Sequence, residues 1–155
     1  MTRTVRTWAV LASSVAAGCG GGSAGPSALL QVGGEYDIRK TVLEDTCDPT
    51  RVGTVLANPG TVRHTPGAAA FVLNDHGTRD LPGTVRSDGT FTLDPYRSTV
   101  MQTIPAVDTF SEGRFTAPGF HLSDTTDLSA ASGSAACRQV TGWEGAKRGT
   151  PNVIP

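Results

Sequence analysis

Three histidines, His64, His76 and His121, are the side chains whose type alone suggests catalysis or metal binding. Imidazoles hold a metal ion when two or three of them converge. These three lie far apart in the chain, His76 in a turn beside Asp75 and His121 in a strand pattern, so they read as solvated or structural. A serine nucleophile needs a strained turn with a histidine and an acid nearby. The elbow Gly-x-Ser-x-Gly does not occur, and Gly133-Ser134 is a loop entry only. Asp75, Asp80 and Glu112 are the acids from which a glycosidase pair would have to be drawn. They are ordinary surface-loop residues by sequence, and that chemistry usually takes a larger, cleft-bearing scaffold. Cys47 and Cys137 show neither Cys-x-x-Cys nor Cys-x-x-His spacing, which argues against a metal. Gly20-Gly21-Gly22 lacks the preceding strand and the following Lys-Ser/Thr of a phosphate loop. The sequence therefore predicts no catalytic centre, no metal and no cofactor, and the chain reads as a protein that is not an enzyme.

The elements ahead of these residues describe export. Arg3 and Arg6 give a positive start, residues 8–17 form a short uncharged and mostly apolar run, and small residues lead to Cys19. That order is the order of a secretory signal. A mostly apolar run of ten residues falls well short of the roughly 20 needed to span a bilayer as a helix. The run Val15-Ala16-Ala17-Gly18-Cys19 resembles the lipobox of bacterial lipoprotein precursors, with Ala16 where that family usually has Leu. The resemblance implies cleavage before Cys19, lipidation of its thiol and acylation of the new N-terminus. Two or more acyl chains anchor a protein stably where one does not. Plain secretion with ordinary cleavage is the alternative. Residues 20–27 are Gly- and Ser-rich, the composition of a flexible tether. Gly20 stands where that family places Asp for inner-membrane retention, which implies an outer-membrane destination in a cell that has one. The expected organisation is a cleaved signal (1–18), a lipidated cysteine and tether (19–33), one β domain (34–148) and a loose tail (149–155).

Size and charge narrow the partners. The chain has 155 residues, and the stretch beyond the signal and tether has the length of one ordinary domain. Of 13 basic residues, Arg3 and Arg6 belong to the signal, leaving 11 against 14 acidic ones, a net −3. With no basic cluster, nucleic acid is an unsuited partner. In an exported protein the remaining even pair, Cys47 and Cys137, is expected to form a disulfide. Its loop of about 90 residues would contribute roughly 4–5 kcal/mol in the chain-entropy model. The bond also places the two ends of the domain side by side, as in a closed barrel or a sandwich.

Past the tether, 19 glycines and 10 prolines in the chain leave no room for long helices, and the pattern is period-two alternation broken by turns. In residues 34–42, Tyr36, Ile38 and Val42 share one face while Glu35, Asp37, Arg39 and Thr41 share the other. Strands are predicted at 52–57, 61–65 and 68–73, with Asn58-Pro59-Gly60 as a turn and Asn74-Asp75-His76-Gly77 as turn chemistry. Asp88-Gly89 between alternating runs predicts a hairpin over 83–93. Residues 97–104 form a strand ended by Pro105, and 113–117 and 120–123 a hairpin around Pro118-Gly119. Residues 124–133, small and polar, read as a loop before a last strand at 135–143. Eight or nine short strands at regular spacing predict an all-β antiparallel meander, an eight-stranded barrel, with a β-sandwich as the alternative.

A second resemblance concerns the ends of the domain. Gly34-Glu35-Tyr36 opens the first strand and Lys147-Arg148 follows the last. This is similar to lipocalin-like (calycin) barrels, in which Gly-x-Trp opens the barrel and a late Arg packs over the aromatic ring. Tyr36 replaces the Trp, and the family's middle motif is not evident. The resemblance implies a barrel closed at one end that holds a small apolar or amphipathic ligand. Phe71, Phe91, Phe115, Phe120 and Trp143 are then either core or cavity lining, since both predict inward apolar side chains. The function expected is a lipid-anchored, monomeric binding module of the cell envelope. The alternative is a structural lipoprotein that contacts another envelope protein or the cell wall through its loops.

Overall fold

Inward and outward residues alternate along much of the sheet, and the inward ones meet in a single enclosed interior. A computed structural model describes residues 28–100, 104–129 and 136–155. The strands are β1 (Gly34–Asp45), β2 (Val55–His64), β3 (Ala70–Asp75), β4 (Arg79–Val85), β5 (Thr90–Leu93), β6 (Tyr96–Val100), β7 (Ile104–Phe110), β8 (Gly113–Thr116), β9 (Gly119–Leu128) and β10 (Cys137–Lys147). One 3-10 turn, Pro49–Arg51, lies between β1 and β2. Strands β1 to β5 pair in succession. β5 then pairs with β8, β8 with β9, β9 with β10, and β10 returns to β1, all antiparallel. β5 and β6 are one strand interrupted at Asp94-Pro95, and β7 and β8 are one interrupted at Ser111-Glu112. β7 pairs with the far half of β9. Each interrupted strand counted once, the sheet is a closed eight-stranded barrel, and the meander predicted from the alternation is what forms.

The two ends differ. At the closed end, residues 28–33 and the C-terminal residues 149–155 cross the opening. Leu30 and Val32 are buried there, Gln31 bridges Val153, and Ile154 packs on the core. The Tyr36 hydroxyl faces the Val32 carbonyl at 2.6 Å and Asn152 Oδ1 at 2.7 Å, while Asn152 Nδ2 donates to the Thr116 and Gly119 carbonyls. Behind this plug Tyr36, Phe71, Phe91, Phe115 and Phe120 pack ring on ring, with centroids 4.5–6.4 Å apart. Gly113 and Gly145 make room for them, because a Cβ at either would come within 2.3 Å of a Phe91 or Phe120 ring carbon. At the opposite end lie residues 46–54, the turn at 76–78 and the ends of β6, β7, β9 and β10. The Cys47–Cys137 disulfide joins β10 to the β1–β2 connection there.

Several sequence expectations need correction. β2 runs unbroken through Asn58-Pro59-Gly60, which is no turn. β3 begins its pairing only at Gly60, so the donor that Pro59 lacks is not needed on that side. Of residues 97–104, expected as one strand, 97–100 belong to β6 and Ile104 opens β7, its antiparallel partner, so Pro105 stands at the start of β7 rather than at a strand's end. β9 continues through Asp124 to Leu128 where a loop was expected. The tail is not loose and residues 28–33 are not tether, since both build the plug. Of the basic pair, Lys147 and not Arg148 lies over the Tyr36 ring, at 5.8 Å. Arg148 pairs with Asp37 on the outer wall.

Candidate functional site

Five charged side chains point into the end of the barrel opposite the plug, each in phase with an apolar inward neighbour. Lys40 follows Tyr36 and Ile38 on β1, Asp75 follows Phe71 and Leu73 on β3, and Arg79 precedes Leu81 on β4. Asp108 follows Ala106 on β7, and Asp124 follows Phe120 and Leu122 on β9. Because a strand's side chains alternate strictly, those parities leave these groups no other place.

Two cations and three carboxylates make an incomplete network. Lys40 Nζ donates to Asp75 Oδ2 at 2.5 Å, Arg79 Nε donates to the same oxygen at 2.8 Å, and Arg79 Nη1 donates to Asp108 Oδ2. The Thr126 hydroxyl donates to Asp108 Oδ1 at 2.8 Å. Lys40 Nζ also stands 3.8 Å from the centroid of the Trp143 ring, with the Arg79 guanidinium 5.4 Å from it. Asp124 is left over. It is buried, and among the described residues it has no ion pair and Oδ1 has no hydrogen bond. The indole Nε1–H of Trp143 lies beside this carboxyl but outside hydrogen-bonding geometry, and it too is unpartnered, as is Asp75 Oδ1. Burial pushes the Asp124 carboxyl up to about 6 and nearby Asp108 adds to the rise, while Trp143, Arg79 and Lys40 hold it back. Burial also lowers Lys40, against the pull of Asp75. Burial opposes the Arg79 cation, but Asp75 and Asp108 outweigh it and its pKa rises.

Above these groups is a cavity of about 260 Å³ whose wall includes Lys40, Arg79, Asp108, Asp124, Thr141 and Trp143. Its rim is apolar on two sides, from Leu56 on β2 and Val100 on β6. Leu43, Val52, Val55, Leu56 and Val100 are exposed large apolar residues, and all belong to this end. On the other side of Asp45, Arg51 stands 3.7 Å away and Gln139 donates at 2.7 Å, so that pair balances itself.

The residues singled out by sequence do not converge. His64 clasps the plug, with Nε2 2.8 Å from the Ala68 carbonyl and Nδ1 facing the Val32 N–H. The open groove of about 650 Å³ beside it therefore has no free imidazole. His76 takes a positive φ of 55° in the β3–β4 turn, and His121 is exposed on the outer face of β9. Asp80 pairs with Arg63, and Glu112 with Arg86, both outside the barrel. Of these residues only Asp75 and Trp143 turn inward at the mouth, while His76 and the Cys47–Cys137 disulfide lie at the same end outside the cavity lining. Cys19, the lipobox and Gly133-Ser134 lie outside the described residues. Among the described residues no group of three or more His, Cys, Asp or Glu is arranged to hold a metal ion. Lys40, Arg79, Asp108 and Asp124 were missed, although their strand parity marks them: each is a charged residue at an inward position.

No protein-family model matches this chain, and neither does any curated protein or solved structure.

Proposed function

We propose that the protein is a binding module of the cell envelope whose barrel mouth holds the polar head of a small amphipathic ligand, and that it is not an enzyme. The observation that carries this reading is the cavity with Asp124 and Trp143 in its wall, two residues whose buried Oδ1 and Nε1 atoms have no hydrogen-bond partner among the described residues. Buried polar atoms without partners are costly, and a ligand donor that reaches the Asp124 carboxylate recovers part of that cost on binding. The apolar half of the interior supports an amphipathic ligand over a wholly apolar one. It is filled by the protein's own rings, so an apolar chain would rest on the rim at Leu56 and Val100. Lipidation at Cys19 would join the membrane to the plugged end, where residue 28 enters the fold. The mouth would then face away from the bilayer, open to ligands arriving from the surrounding compartment.

The five exposed apolar residues at the mouth favour a second reading, in which the same end contacts another envelope protein. Native mass spectrometry of protein extracted gently from membranes separates the two. The binding reading predicts a discrete added mass that is lost in Ser98→Phe, which fills the cavity. Bare protein in both samples would shift the assignment to the contact reading.

A further inference from the structure

We propose that the head group held at the mouth is a single organic cation, an ammonium or a guanidinium, seated against Asp124, with its apolar chain lying on Leu56 and Val100. The inference rests on the reading of the mouth as a binding site and goes on to the charge of its ligand. With the ion-pair partners Asp75 and Asp45 counted beside the lining residues, three cations stand against four carboxylates and the charges do not cancel. Lys40 and Arg79 are already committed to Asp75 and Asp108, Arg51 faces Asp45, and among the described residues Asp124 has no cation of its own. An unpaired carboxylate in a buried wall is an unfavourable arrangement that an added cation relieves and an added anion worsens. The next charged groups facing Asp124 are Asp108 on β7, Arg79 on β4 and Lys40 on β1. The acid reinforces selection for a cation, and the two basic groups hold their donors toward their own partners. Thr141, paired directly across from Asp124 on β10, and Thr126 on its own strand add hydroxyl oxygens that can accept from an ammonium. The volume, about 260 Å³, admits a head group and a few carbons but no second large ring.

Trp143 makes the test direct, because Trp8 precedes Cys19 and the chain from Gly20 contains no other tryptophan. The barrel, its plug and the disulfide all lie within residues 28–155, so that chain carries the whole fold. Its indole fluorescence is followed at pH 7.5 on titration with hexylammonium, hexanoate and hexanol, three probes of one length and different charge. The expected result is a saturable response to hexylammonium that is at least tenfold tighter than to either other probe. Asp124→Asn should weaken it at least tenfold, while Asp80→Asn on the outer wall leaves it unchanged. In the unmodified chain the affinity should fall as the pH drops through about 6, where Asp124 takes up its proton and the probe stays charged. That pH profile carries the test should Asp124→Asn fold poorly. Tighter binding of hexanoate or hexanol would overturn the cationic head and leave the binding mouth standing. No response from any of the three would overturn both.

Discussion

Asp124 shows how one residue can be placed by a pattern and left unsatisfied by its surroundings. Parity along β9 turns it inward behind Phe120 and Leu122, where it reaches neither Lys40 nor Arg79 as an ion-pair partner. Its carboxyl is raised by burial to about 6, above its value in an unfolded chain, so the folded protein binds that proton more tightly. The group therefore lowers stability as pH rises from about 4 to about 6, and its full penalty applies above that window. Asp124→Asn removes the charge and keeps the shape. At pH 7 it should raise the free energy of unfolding by about 1–3 kcal/mol. The gain should shrink toward zero near pH 4, as denaturant melts at the two pH values would show. A destabilised variant at pH 7 would mean that the carboxylate has a partner after all.

At the scale of elements, the apolar and polar halves of the barrel were unequally legible. β1 was readable because Tyr36, Ile38 and Val42 alternate with charged residues, and the hairpin at Asp88-Gly89 because its turn chemistry is local. The second half of β9 was misread as a loop because its inward positions are Asp124 and Thr126. A strand that lines a polar cavity carries no apolar alternation to betray it. The same cause hid the mouth: Lys40 was passed over on the face it shares with Tyr36 and Ile38. Pro59 and Pro105 misled for another reason, since proline forbids a donor but not an extended backbone. Close packing at the other end gives a sharper prediction. Gly113→Ala would drive a methyl into the Phe91 ring and should cost about 1–3 kcal/mol, read as a lowered melting temperature. The disulfide pins the mouth ends of two strands that the ring also joins by hydrogen bonds. Cys47→Ser should cost about 2–5 kcal/mol, and an unchanged melt under reducing and oxidising conditions would contradict this.

Over the whole molecule, the packed core and the unfilled mouth are separated along the barrel axis. The plugged half, from Leu30 and Asn152 to the ring cluster, is packed, and among the described residues its buried side-chain polar atoms are paired apart from the Trp143 indole at its border with the mouth. The mouth half keeps a cavity, buried charges and unpartnered atoms, features that a fold under pressure for stability alone would fill with apolar side chains. Attachment at the plugged end is what would leave the mouth free. On the proposed anchoring, Cys19→Ser should move the protein from the membrane to the soluble fraction with its melting temperature unchanged, because the described barrel and plug lie within residues 28–155. Retention of this variant in the membrane fraction, with the signal removed, would place the anchor elsewhere.

Ligand binding at the mouth would be reported most directly by the Trp143 indole N–H. In a two-dimensional nitrogen–proton NMR spectrum of the chain from Gly20, it gives one isolated resonance. With hexylammonium, hexanoate and hexanol added in turn, at least one probe should displace that resonance saturably, while amides around Tyr36 and Asn152 stay in place. An indole signal that none of the probes moves, or shifts confined to the plugged end and outer wall, would contradict a binding mouth.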